Sequence, residues 1–218
     1  YWRNKLALAF NQSKGKAQKN SADAYVYADG ENTVRLFGGI LPRYVYWLKA
    51  GVKPIPVECL AFSRTKEKFD NLEVDHVSEY FPDLKCSWAY SINCIDSKDG
   101  KAKVLNLKKK LFGQIMAAAE DLGDPTDPDE GWDVVFKKTK TGSNASDVEY
   151  TLSVLRCKKR ALTPEEREVI AKEPDIDTKV PRATPEEQKA LLEKITKGQQ
   201  DEDEPGTPAE KEAAQDLA

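Results

Sequence analysis

The nineteen aromatic residues of this 218-residue chain all lie at or before Tyr150, and the positive charge lies with them. Counting Lys and Arg against Asp and Glu, residues 1–160 carry a net +5 and residues 161–218 a net −8. Large rings supply much of the area that a core can bury, so the core must be built before about residue 160. The remaining residues must either dock on that core or stay solvated. The layout has functional meaning as well. Aromatic faces stack on bases, lysines neutralise phosphates, and an attached polyanion imitates such a ligand.

The length predicts one domain of roughly 150 residues plus an appendage, large enough to bury a core without staples. No apolar run approaches the ~18 residues of a membrane-spanning helix. The stretch 1–10 is basic and then apolar, but the apolar part is too short for a signal peptide and polar residues come directly after it. Cys59, Cys86, Cys94 and Cys157 show no paired short spacing, which reads as reduced thiols in a cytosolic compartment.

Residues 11–22 are polar and basic, and with the start of the chain they read as a flexible arm, 1–22. Runs rich in β-branched and aromatic residues at 24–28, 33–37, 43–48, 55–62 and 86–95 predict strands. Asp29-Gly30 is set as a hairpin turn between the first two. The charged stretch 63–83 reads as an excursion with a short helix. Residues 102–107 predict a strand, 107–122 an amphipathic helix, and Gly123 its C-terminal cap. Strands at 132–139 and 147–157 complete the set. Many strands, one embedded helix and no βαβ alternation point to a mainly β fold with α appendages, built as a small antiparallel barrel.

Thr163-Pro164-Glu165-Glu166 and Thr184-Pro185-Glu186-Glu187 share one pattern: an N-cap Thr, Pro at the first helical position and Glu at the third. Both predict capped helices with weak apolar faces, one docked on the domain and the second marginal. The expected units are thus an arm at 1–22, a core at 23–160, short capped helices at 161–198 and a disordered acidic tail at 199–218.

Enzymatic chemistry finds little in this sequence. The single histidine, His76, lies in the charged excursion, and no nucleophile motif or phosphate-cradling Gly-rich loop is present. The acids at 121–130 lack a Ca²⁺-loop pattern, and the cysteines lack a C-x₂-C half-site, so neither a metal nor another cofactor is predicted. Nucleic-acid binding finds more. Arg43-Tyr44-Val45-Tyr46-Trp47-Leu48-Lys49 interleaves rings with cations. In a strand Tyr44 and Tyr46 share one face and Arg43 and Trp47 the other, so that one face can line a groove while the other packs inward. Trp88 and Tyr90 alternate with small polar residues, a pattern that favours burial. Lys108, Lys109 and Lys110 open the helix, against its dipole, which a nearby phosphate would offset. Lys137 and Lys138 end the next strand, and Arg35 points away from its apolar neighbours. Cations at several strand ends with rings between them describe a channel for a single strand.

Thr33-Val34-Arg35-Leu36-Phe37, Cys86-Ser87-Trp88-Ala89-Tyr90-Ser91-Ile92, Gly100-Lys101-Ala102-Lys103-Val104 leading into Lys109-Lys110-Leu111-Phe112, and Gly131 to Lys140, in that order, resemble the single-stranded-DNA-binding protein of T-even-like bacteriophages. The resemblance spans roughly 24–157. It implies an OB-fold-like barrel that holds single-stranded DNA without sequence preference during phage replication, recombination and repair in the host cytoplasm. It further implies self-association through the arm and recruitment of replication and recombination proteins through the tail, here Asp201, Glu202, Asp203, Glu204, Asp216 and Leu217. Trp88, Arg35, Lys109 and Lys110 match positions of that family's DNA groove. The C-x₂-C of its zinc-binding excursion is missing from 59–86, so no zinc is expected. An RNA-binding OB-fold protein, and an adaptor working through its acidic tail, are the alternative readings.

Overall fold

The computed structural model describes residues 24–50, 53–143 and 147–197. Its strands are β1 (Gly30–Ala50), β2 (Lys53–Glu58), β3 (Phe62–Ser63), β4 (Lys68–Phe69), β5 (Ser87–Asp96), β6 (Ala102–Leu107), β7 (Asp133–Lys140) and β8 (Val148–Leu152). Its helices are α1 (Val77–Tyr80), α2 (Lys109–Leu122), α3 (Pro164–Lys172), α4 (Ile176–Lys179) and α5 (Pro185–Thr196). One antiparallel sheet runs β6-β5-β1-β7-β8, with β2 added to the far end of β1, while β3 and β4 form a separate hairpin. The connectivity is compatible with an OB-like fold, but the sheet does not close. Between its edge strands β6 and β8, α2 fills the gap. Gln114 binds the β8 backbone twice, taking the Leu152 N–H at 2.5 Å and donating to the Tyr150 carbonyl at 3.4 Å.

The two runs expected at 33–37 and 43–48 are one strand. Gly38 and Gly39 form a bulge in it, since Phe37 pairs with Asn93 and Ile40 with the adjacent Ile92. Gly38 has φ +72°, a conformation that side-chain-bearing residues rarely adopt, and the bulge bends the strand. The segment 24–28 does not form a hairpin with β1. Asn32, 1% exposed, binds the Ala28 N–H and carbonyl, the Gly30 carbonyl and the Tyr25 hydroxyl. This knot folds 24–28 back beside β6, where the Tyr25 N–H donates to the Val104 carbonyl at 2.8 Å.

The core lies between the sheet and α2. Val34, Leu36, Ile92 and Leu105 of the strands meet Leu111 and Ile115 of the helix, with Tyr25, Tyr27, Trp132 and Phe136 filling the rest. The buried Trp132 keeps its indole N–H satisfied on the Gly123 carbonyl at 2.9 Å, and Gly123, at φ +81°, ends α2 as expected.

Both Thr-Pro-Glu-Glu repeats form complete capping boxes. Their docking differs from the expectation. The first helix, α3, has no fully buried residue and rests Val169 and Ile170 on Phe37, Ile95 and Ala102. The second, α5, is the better anchored. Its Leu192 is fully buried against Leu48, Val57 and Val77, a contact worth about 1.5–3 kcal/mol. Gln188 holds the Glu58 carbonyl, Asp75 and the His76 N–H. Between them, α4 sets Ile176 on Leu41 and Val104.

Candidate nucleic-acid interface

A groove of about 580 Å³ lies between the second half of β1, the start of β5 and the beginning of α2. Strand pairing leaves it open. β6 pairs with β5 only from Tyr90 onward, so Cys86, Ser87, Trp88 and Ala89 line the groove on an edge that β6 does not cover. β6 then passes straight into α2 at Lys108, whose extended backbone starts the helix without a side-chain cap. Lys109 and Lys110 come next, in a first turn that carries no acidic residue. Lysines there oppose the helix dipole, and the free N–H groups together with the ammonium groups favour an anion.

Aromatic rings form the adjoining wall. Trp88 meets Tyr90 edge to face, with centroids 4.7 Å apart, and Tyr90 stacks on Phe112 at 4.9 Å and 16°. Tyr44 pairs with Trp88 across the strands. Burial, and then the nearby Glu67, pushes the Tyr90 hydroxyl up from its ordinary value, so it stays protonated and can donate. Arg43 is oriented by a long contact from Nη2 to Ser91 Oγ, 3.5 Å, and Ser91 in turn donates to Asn106 at 2.7 Å. The Trp47 indole N–H is buried without a hydrogen-bond partner among the described residues. Such a donor costs about 1–3 kcal/mol unless an acceptor meets it.

Of the residues singled out in the sequence, Arg43, Tyr44, Trp47, Trp88, Lys108, Lys109 and Lys110 converge on this groove. Lys108 is the least available of its triplet, because its ammonium sits 5.7 Å and 5.6 Å from the Tyr27 and Tyr150 ring centroids. Lys109 and Lys110 are exposed.

Others do not join. Arg35 is 1% exposed and donates from Nη2 to the Asp127 carbonyl at 2.6 Å, so it holds the loop 124–131 and does not line the groove. Tyr46 turns the other way, giving its hydroxyl to Asp75 at 3.3 Å and Cys59 at 3.5 Å and packing its ring beside Leu48 and Val57. Lys137 and Lys138 do not line the groove; Lys138 pairs with Asp29 at 3.5 Å. The Lys49 side chain, the arm 1–22 and the tail residues Asp201 to Glu204, Asp216 and Leu217 lie outside the described residues.

Sequence reasoning missed Tyr90, Phe112, Asn106 and Tyr150 as groove or wall residues. Tyr90 had the alternation of a core residue, which half describes it, since its ring also packs against the main core. Phe112 belongs to the wall only because α2 brings it to β5, and no local pattern carries that.

No family model matches the chain. It is similar to a phage protein. The probable ssDNA-binding protein of Escherichia phage T5 is 28% identical, with 91% of this chain and 90% of that protein covered. This similarity supports the broader resemblance drawn from the ordered motifs but not its T-even-like assignment. Among the described residues, no group of three or more His, Cys, Asp or Glu side chains is placed to hold a metal, and no helix is long and apolar enough to cross a membrane.

Proposed function

We propose that this chain is a non-enzymatic, sequence-independent single-stranded-DNA-binding protein of a phage, which protects and organises single strands during replication, recombination and repair inside the host cell. The observation that carries this reading is the convergence of Arg43, Lys109 and Lys110 with the Trp88–Tyr90–Phe112 wall on one open groove. The name of the phage T5 relative supports it. Bases stack on Trp88 and Tyr90 at about 1–3 kcal/mol each, and every base offers such a face, which makes the binding tolerant of sequence. Phosphates meet Arg43, Lys109, Lys110 and the first N–H groups of α2. His76 stands on the excursion, against Glu79 at 3.1 Å, and takes no part.

In this reading residues 23–160 form the binding core and 1–22 support self-association. The acidic stretch 199–218 recruits replication and recombination proteins. That stretch also competes with DNA for the groove, so its deletion tightens binding at low salt, where charges act over longer distances.

Intrinsic tryptophan fluorescence titrated with oligo-dT tests the proposal. Quenching is expected, with a log-log salt slope near −2 if Arg43, Lys109 and Lys110 each neutralise one phosphate, at roughly 0.7 per phosphate. Absence of quenching at about 50 mM salt overturns it. A matched RNA oligomer that binds more tightly would move the assignment to RNA.

A further inference from the structure

The aromatic wall does not stop at Tyr44. That ring packs against two more, Phe62 at 4.7 Å and Phe69 at 4.9 Å, which meet each other at 5.3 Å. Phe62 and Phe69 are cross-strand partners in the β3–β4 hairpin. Phe62 is buried, whereas Phe69 is 49% exposed. A large ring left half in water forgoes the gain of burial, and here exposed Lys68 stands beside it in the chain.

The hairpin also leans on the groove. The Tyr90 hydroxyl donates to Glu67 Oε1 at 3.3 Å, and Glu67 turns the hairpin tip with φ +48°, a region uncommon for residues other than glycine. Groove wall and hairpin therefore form one continuous surface, joined through Tyr44 on one side and Glu67 on the other.

We propose that the β3–β4 hairpin is a second subsite for single-stranded nucleic acid, in which a base leaving the Tyr44 wall stacks on Phe69 while Lys68 meets its phosphate. The inference rests on the proposed function of the groove. Continuity with that groove and the cation beside the exposed ring select this occupant: a polyanion with planar bases satisfies both, and an apolar peptide satisfies only the ring. The Glu67 carboxylate repels phosphate from the Tyr90 hydroxyl and directs the backbone to the Lys68 side.

The test compares the full chain with Phe69→Ala and Phe69→Trp on oligo-dT of about four and about sixteen nucleotides, the range of site sizes for one OB-type domain. The short oligomer fills the groove alone. Phe69→Ala is expected to leave its affinity unchanged and to weaken the long oligomer about tenfold, equivalent to about 1.4 kcal/mol. Phe69→Trp restores the long-oligomer affinity and adds an indole signal that only the long oligomer quenches. Equal losses at both lengths would make Phe69 a mere support for Tyr44 and overturn the proposal, as would no loss at either length. If the unsubstituted chain binds neither oligomer, the groove reading itself falls. If it binds both and Phe69→Ala shows no length dependence, only the hairpin subsite falls.

Discussion

Arg35 and Arg43 stand on the same strand, each between apolar or aromatic neighbours, and their fates are opposite. β7 pairs with β1 through Arg35 and places Asp133 directly across from it. The loop 124–131 then closes over the guanidinium. Gly131 leaves the room for this, since a Cβ there would sit 2.7 Å from Arg35 Nη2 and 2.4 Å from the Asp127 carbonyl oxygen. At Arg43 β7 has already ended, and β2 begins its pairing only at Val45. Arg43 stays at the groove. Coverage by neighbouring strands, more than residue type, decides whether a cation on this sheet is buried in the fold or stays at the groove. Arg35 bears the cost of its position: burial is the main cause that lowers its pKa, opposed chiefly by Asp133.

The larger effect on stability is expected at Arg35. Arg35→Met should lower the unfolding free energy by about 1–3 kcal/mol in urea, because the Asp127 carbonyl under the loop 124–131 loses its donor. The affinity of the folded protein for single-stranded DNA should not change; a loss of affinity without a loss of stability would invert the assignments of the two arginines. Trp88→Ala should do the opposite, costing about 1–3 kcal/mol of binding with little change in the urea midpoint, since Trp88 belongs to none of the buried clusters. The double change Lys109→Gln with Lys110→Gln should flatten the log-log salt slope by about 1.4, at roughly 0.7 per phosphate contact. Lys137→Gln with Lys138→Gln should leave that slope unchanged.

The smallest effect concerns the acidic helices. Arg160 grips Asp133 of the sheet at 2.7 Å and Glu166 of α3 at 2.7 Å. That grip is the main cause that holds the Glu166 pKa below its ordinary value. A carboxylate depressed in the folded state contributes fully above its unfolded value of about 4.3, and the contribution is lost as the pH falls through the folded value. Acidification should therefore release α3 before the sheet unfolds. Hydrogen exchange at the amides of 164–172 would read this as early loss of protection; simultaneous loss throughout the sheet would show that the grip is not local.

Much of the fold was legible locally. Alternation marked β5, apolar spacing marked α2, and the two Thr-Pro-Glu-Glu repeats gave the starts of α3 and α5. Errors arose where a side chain overrode a local signal. Asp29-Gly30 looks like a hairpin turn, but the buried amide of Asn32 collects four hydrogen bonds and sends 24–28 to β6. The gap between the two runs of β1 was a Gly-Gly bulge. The weak apolar face of α5 hid its anchor, because Leu192 finds a closed pocket and Gln188 works by hydrogen bonds that hydropathy does not register.

The sequence by itself determined the division of labour, an aromatic, basic body and an acidic, ring-free extension, because composition sets which part can bury a core. It also determined which side chains alternate together along each strand, since the period of two is local. Only the tertiary structure decided which of those faces stays open. Strand pairing and the bulge set where β7 ends, where β6 begins to cover β5 and where α2 enters, and those long-range contacts put Arg43, Trp88 and Lys109 at a groove while burying Arg35 behind a loop.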